Sequence, residues 1–247
     1  YVPNTESDSL SVIDPKTYKV IATLTVGNQP QHVVPSWDLK TLWVLNDMSN
    51  SVTAIDPVTG KLGKTYPVDD PYNMYYTPHG KYAIVVAEAM QRLMFRDPQT
   101  MKLVNSLKVP CKGVDHMDFS ADGRYFIATC EFEGKLIKVD VESKKVVGSI
   151  DIHRGAMPQD VKLSPDGKVF YVADMMSNGV FTVDGEKFRL TGFIPTGKGT
   201  HGLYVSRDSR VLYISNRGEG SVSVLDLATS KVIQKWQVPN GGSPDMG

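Results

Sequence analysis

From Gly199 to Val238 the chain reads Gly199-Thr-His-Gly-Leu-Tyr-Val-Ser-Arg-Asp-Ser-Arg210, then Val211-Leu-Tyr-Ile-Ser-Asn216, then Ser221-Val-Ser-Val-Leu-Asp226, then Lys231-Val-Ile-Gln-Lys-Trp-Gln-Val238. Four short β-branched or alternating runs are separated by polar turns, and none is long enough for a stable helix. The first two runs meet at Arg207-Asp208-Ser209-Arg210. The second and third are joined through Asn216-Arg217-Gly218-Glu219-Gly220, and the third and fourth through Leu227-Ala228-Thr229-Ser230. This is the pattern of a four-stranded antiparallel meander.

The unit recurs. An Asp closes the third run of each copy, at Asp14, Asp56, Asp97, Asp140, Asp184 and Asp226, with spacings of 42, 41, 43, 44 and 42 residues. The turn between the first two runs repeats in the same phase, at Asp38-Leu39-Lys40, His79-Gly80-Lys81, Asp122-Gly123-Arg124, Asp166-Gly167-Lys168 and Asp208-Ser209-Arg210. Two markers in one phase, with four strands per period of just over forty, predict an all-β β-propeller of four-stranded antiparallel blades. A lone blade cannot bury both faces, so its stability comes from stacked neighbours. Complete units are expected at Pro30–Asp70, Pro71–Gly113, Val114–Met157, Pro158–Gly199 and Thr200–Asn240. Residues 1–247 then read as a single propeller domain of five complete blades plus partial blades at both ends. Since both ends fall inside a unit, the chain is expected to be part of a seven-bladed propeller closed by residues after Gly247.

Several function classes drop out on composition. Of the 247 residues 41% are hydrophobic and 22% charged, and 27 Lys and Arg balance 27 Asp and Glu. No net field favours nucleic acid, and no apolar run is long enough for a transmembrane segment. The chain starts at Tyr1-Val2, already inside a strand and without a signal peptide, which leaves a preceding leader open.

The second run of several units ends in a quartet: Tyr1-Val2-Pro3-Asn4, Trp43-Val44-Leu45-Asn46, Tyr171-Val172-Ala173-Asp174 and Tyr213-Ile214-Ser215-Asn216. The aromatic and β-branched residues suit packing between blades, and the Asn or Asp suits holding the following loop to the backbone. On these quartets the chain resembles the YVTN-repeat β-propeller family over its whole length. Two copies depart from the pattern, ending in Val86-Ala87 and Thr129-Cys130. The resemblance implies a secreted or periplasmic protein, often seven-bladed, in a family where many members have no assigned activity. The superfamily is similar to haem-d1 nitrite reductase propellers and to a streptogramin-opening lyase.

Aligned on the turns, one position at the upper end of the first strand holds His32, Asn73, His116, Asp160 and Gly202. The position before it holds Gln31, Tyr72, Asp115, Gln159 and His201, and Asp245 continues that series. His32, Asn73, His116, Asp160, His201 and Asp245 are therefore the candidate ligand-binding residues at a channel mouth. His32, His116 and His201 are candidate ligands for a transition metal or haem, or general bases. Asp160 and Asp245 can add charge or orient an imidazole. A wet, polar rim needs no ligand to explain it, and His201 is shifted by one position from the other two. His79 and His153 read as surface histidines. The upper loops carry Asp47, Glu88, Glu131, Asp174, Arg217 and Glu219 among Met48, Met90, Met175 and Met176, a face suited to a protein partner. The lower face is expected to offer tight turns and little room for a pocket. Cys130 is expected nearly opposite His116, with Cys111 in the preceding join; a disulfide, a Cys/His metal cluster and two free thiols all remain open.

No nucleophile elbow, phosphate loop, dinucleotide fingerprint or zinc-protease motif is present, which weighs against an enzyme. The leading expectation is a binding propeller acting through its upper face on a protein, glycan or small molecule. The alternatives are a metal- or haem-dependent enzyme or cofactor-handling protein and, more weakly, a lyase.

Overall fold

A computed structural model describes residues 1–245. They fall into two compact units, one ending at Pro110 and the other beginning at Cys111. In the first unit, β1 (Val2–Asn4), β2 (Ser9–Ile13) and β3 (Val20–Thr25) form a three-stranded sheet. Two four-stranded sheets follow: β4 (Pro30–Pro35), β5 (Leu42–Asn46), β6 (Ser51–Ile55), β7 (Leu62–Pro67), then β8 (Asn73–Tyr76), β9 (Ala83–Ala87), β10 (Arg92–Arg96), β11 (Leu103–Lys108).

The second unit has three four-stranded sheets. The first is β12 (Val114–Phe119), β13 (Tyr125–Cys130), β14 (Lys135–Asp140) and β15 (Lys145–Asp151). The second is β16 (Pro158–Leu163), β17 (Val169–Asp174), β18 (Gly179–Asp184) and β19 (Arg189–Pro195). The third is β20 (Thr200–Val205), β21 (Val211–Asn216), β22 (Ser221–Asp226) and β23 (Lys231–Gln237). Neighbouring strands within each sheet pair antiparallel in chain order, and helix among the described residues is confined to four three-residue 3-10 turns.

The expected blade number needs correction. The described residues build six blades, not seven. After β23 the chain turns at Pro239–Gly241, and no strand follows before Asp245. Pro239 and Pro244 lack ladder donors and Gly241 sits at φ 70°, so this stretch is poorly suited to pairing.

Both repeat markers have a local cause. The Asp closing each third strand accepts an amide two or three residues on, and Asp56 Oδ1 takes both, Val58 N at 2.8 Å and Thr59 N at 2.9 Å. These amide and hydroxyl donors hold Asp14, Asp56, Asp97, Asp140 and Asp226 below the usual carboxylate range. The other marker is a Ser-x-Asp turn. Ser164 Oγ donates to Asp166 Oδ1 at 2.6 Å, and that oxygen also takes Lys168 N at 3.2 Å.

The cores lie between sheets. One cluster joins Trp43, Leu45 and Val52 to Met74, Val85 and Met94; a second joins Tyr125, Ile127 and Leu136 to Val161, Phe170 and Val172. A third joins Tyr171 and Ala173 to Leu203, Leu212 and Ile214. All six residues of β13 are buried, whereas β15 alternates between exposed and half-buried. Inner strands are thus covered on both faces, and the last strand of a blade has one face in water.

The polar end of the quartet makes the expected side chain to backbone link at Asp174 and adds links between side chains at Asn46 and Asn216. Asn216 Nδ2 donates to Ser221 Oγ and Ser223 Oγ, each at 3.0 Å, tying β21 to β22 through side chains. Asn46 reaches Ser51 Oγ and Thr53 Oγ1 in the same way. Backbone is bound as well: Asn46 Oδ1 takes Gly27 N at 3.2 Å, and Asp174 takes Met157 N at 2.8 Å and Ser177 N, in the following loop, at 2.7 Å.

Candidate functional site

The upper ends of the first strands in the second unit share one irregularity. In β12 Val114 pairs with Cys130 and Met117 with Ala128, so Asp115 and His116 together face Thr129 alone. The same two-for-one bulge places Gln159 and Asp160 against Ala173, and His201 and Gly202 against Ser215. A bulge leaves an extra amide outside the ladder and re-aims side chains. Here a hydroxyl captures that amide: His116 N donates to Thr129 Oγ1 at 3.0 Å, and Gly202 N to Ser215 Oγ at 2.7 Å. The residue opposite Cys130 is Val114 rather than His116, because the bulge displaces the ladder. It also explains why His201 and His116 occupy adjacent repeat positions, since each bulge presents both.

The candidate residues divide between the units. In the first, His32 Nδ1 donates to the Tyr72 carbonyl at 2.8 Å, and the two rings meet edge-on at 5.3 Å. Asn73 Oδ1 takes Met74 N at 2.8 Å, and its Nδ2 donates to Tyr75 OH at 3.1 Å. In the second unit, Asp115 and His116 are both 2% exposed, with Asp115 Oδ1 lying 3.2 Å from His116 Nε2. His201, 5% exposed, has Asp245 Oδ1 at 2.9 Å from Nδ1 and Arg217 Nη1 at 3.3 Å from Nε2.

Asp160 is occupied structurally. Its Oδ1 takes Val161 N at 2.8 Å and Lys162 Nζ at 3.1 Å, and its Oδ2 takes Leu203 N at 2.9 Å on the next first strand. Asp118 stitches similarly, taking Phe119 N at 2.9 Å and Leu163 N at 2.7 Å. Burial pushes the Asp118 carboxyl above the usual carboxylate range, with Lys162 offsetting part of the rise. Burial by itself would lower the Lys162 ammonium, but Asp160 and Asp118 outweigh it and raise its pKa.

Sequence reasoning missed Asp118 and Lys162. They share one aligned position two residues past the His116 position, and the opposite charges in adjacent copies were the available signal. It also missed the capping roles of Thr129 and Ser215. Among the described residues no group of three or more His, Cys, Asp or Glu is arranged to hold a metal ion. Cys111 and Cys130 form a disulfide, with Cα atoms 6.0 Å apart, so neither offers a thiolate to a Cys/His cluster. His79 and His153 are exposed.

The lower face departs from expectation. A cleft of about 390 Å³ opens between the last two sheets, lined in part by Ser164, Asp166, Tyr171, Leu227 and Ser230.

The sequence profile described as YNCE-like beta-propeller matches residues 1–246. The chain belongs to the YNCE-like β-propeller family. A relative, the uncharacterized protein YncE of Salmonella typhi, is 21% identical over 242 residues, spanning 92% of this chain and 68% of the relative. Among solved structures, the propeller is similar to Kuenenia stuttgartiensis hydrazine synthase, with TM-score 0.85 and 21% identity over 98% of this chain and 84% of that one. It is similar to a putative 6-phosphogluconolactonase of Bacteroides fragilis NCTC 9343, with TM-score 0.75 and 19% identity over 96% and 78% of the two chains. For the dihydro-heme d1 dehydrogenase NirN the TM-score is 0.71, at 16% identity over 95% of this propeller and 53% of that chain. At these identities the likeness is one of fold.

Proposed function

We propose that this propeller is a non-catalytic binding protein that takes a small polar molecule or a short glycan at the bulged upper ends of its first strands. The observation that carries this reading is the set of three consecutive two-for-one bulges in the second unit, each presenting a pair of residues at the same end. The side chains of Asp115, His116, Gln159 and His201 are 2–5% exposed, too recessed to meet a flat protein surface and suited to a ligand that enters. Within the second unit, Asp245 lies beside His201 in the same set, while Asp160 is held by its bonds to Lys162 and Leu203. The enzymes of similar fold carry different chemistries in their names, so the fold alone selects none of them.

The protein is proposed to work in the periplasm or outside the cell. The Cys111–Cys130 bridge supports an oxidising compartment. The test is a screen of glycans and polar metabolites by thermal shift, followed by the same ligand on His116→Ala/His201→Ala. Loss of binding with an unchanged circular dichroism spectrum is expected, and elemental analysis of untagged protein should find no stoichiometric transition metal. Full binding by the double variant, or a copurifying metal, would overturn the proposal.

A further inference from the structure

Arg217 fixes the protonation pattern of His201. A guanidinium only donates, so its Nη1 at 3.3 Å makes His201 Nε2 the acceptor, and the neutral ring carries its proton on Nδ1. That Nδ1–H is buried and has no aligned hydrogen-bond acceptor among the described residues. The Asp245 carboxylate comes close without aligning: Oδ1 lies 2.9 Å from Nδ1, and Oδ2 lies 3.5 Å from Arg217 Nη1. The segment that delivers it, residues 242–245, is neither helix nor strand, and Ser243 Oγ donates to the Arg217 carbonyl at 3.1 Å. The neighbouring carboxylate, Glu219, is engaged elsewhere, with Lys235 Nζ at 2.8 Å and Lys198 N at 3.1 Å.

We propose that His201 Nδ1–H and the Arg217 guanidinium form a carboxylate-binding site, and that Asp245 occupies it in cis as a displaceable stand-in for the carboxylate of a small molecule. The inference rests on the proposed binding function and names the chemical class that the mouth recognises. The donor set suits that class. An Arg fork matches the two oxygens of a carboxylate, and the imidazole N–H supplies a further directed donor. A free carboxylate can choose the angle that the tethered Asp245 does not reach. The tether makes Asp245 a competitor at an effective concentration of about millimolar, so the native chain should bind a free carboxylate weakly.

The test uses the full chain and acetate as the probe. Acetate is titrated against native protein, Asp245→Ala and Asp245→Ala/Arg217→Ala at constant ionic strength in chloride, following the His201 ring by NMR. Asp245→Ala should bind acetate saturably and roughly tenfold or more tighter than the native chain, since the intramolecular competitor is gone. The added Arg217→Ala should abolish that binding. Asp245→Asn, which keeps the side-chain volume, replaces Asp245→Ala if the latter melts early. No saturable acetate binding in either Asp245 variant, binding that survives loss of Arg217, or a clear preference for inorganic phosphate over acetate would each overturn the inference. A ligand lost on His116→Ala alone, with acetate inert throughout, would sink the carboxylate site and leave the mouth as a binding site.

Discussion

At Asp47, burial and then the charge of Asp70 push the carboxyl up to about 6. From about pH 4, where an ordinary unfolded Asp has lost its proton, up to about pH 6, the folded chain holds a proton that the unfolded chain has released. Stability therefore falls as pH rises through that window and levels off above it. Asp47→Asn is expected to flatten the urea midpoint between about pH 4 and 6 and to exceed the native chain at about pH 7. Parallel pH profiles for the two proteins would refute the assignment. At this scale legibility followed sequence distance. The Asp at the end of each third strand could be read because its partners lie two or three residues on. Of the groups beside His201, Asp245 could be read as an imidazole partner and Arg217 could not. Arg217 lies sixteen residues away across a hairpin, and the bulge that orients the ring is set by pairing with β21. Thr129 and Ser215 were visible as letters of a quartet, but their role needs the register that puts one hydroxyl opposite two residues.

Among elements, the turn after each third strand carries a residue at positive φ, and in two copies its side chain packs into the core beside the preceding sheet. Met101, at φ 57°, is buried there in the cluster with Trp43 and Ala83. Phe188, at φ 46°, packs against the cluster of Tyr125 and Phe170. Ser230, at φ 55°, is too short to do so, and the 390 Å³ cleft is the space left beside it. Ser230→Met asks nothing new of the backbone, since Met101 already holds that conformation. Filling the gap is expected to stabilise the protein by roughly 0.5–2 kcal/mol, read as a higher urea midpoint. An unchanged or lower midpoint would show that the side chain does not enter the cleft. The lower-face expectation failed for a related reason. A sequence shows which residues form a turn, but a cleft arises from the atoms that a neighbouring blade fails to supply.

For the molecule as a whole, the repeat made six blades readable and their boundaries fall within a few residues of the predicted units. The seventh blade was inferred from both ends falling inside a unit, and the described residues after β23 form no strand that begins it. The Cys111–Cys130 bridge adds a covalent constraint to an array otherwise held by packing between blades, pinning the join before β12 to the end of β13. Closing a loop of this length, a separation of 19 residues, is worth about 3 kcal/mol in the chain-entropy account. Cys111→Ala/Cys130→Ala should therefore melt roughly 5–10 °C lower and ignore reductant. A melting temperature equal to that of the native chain would show that the bridge is energetically idle.

The two-for-one bulge has a consequence for engineering. Its extra residue is absorbed locally, and the ladder returns to register at Met117, Val161 and Leu203. Residues 115–116, 159–160 and 201–202 therefore behave as three dipeptide cassettes whose identity is separable from strand pairing. Thr129 and Ser215 hold the backbone of two of them whatever the side chains are. A library randomised at those six positions, with Asp160 returned as Asp or Asn to keep its stitch to Leu203, would graft new specificities onto an unchanged frame.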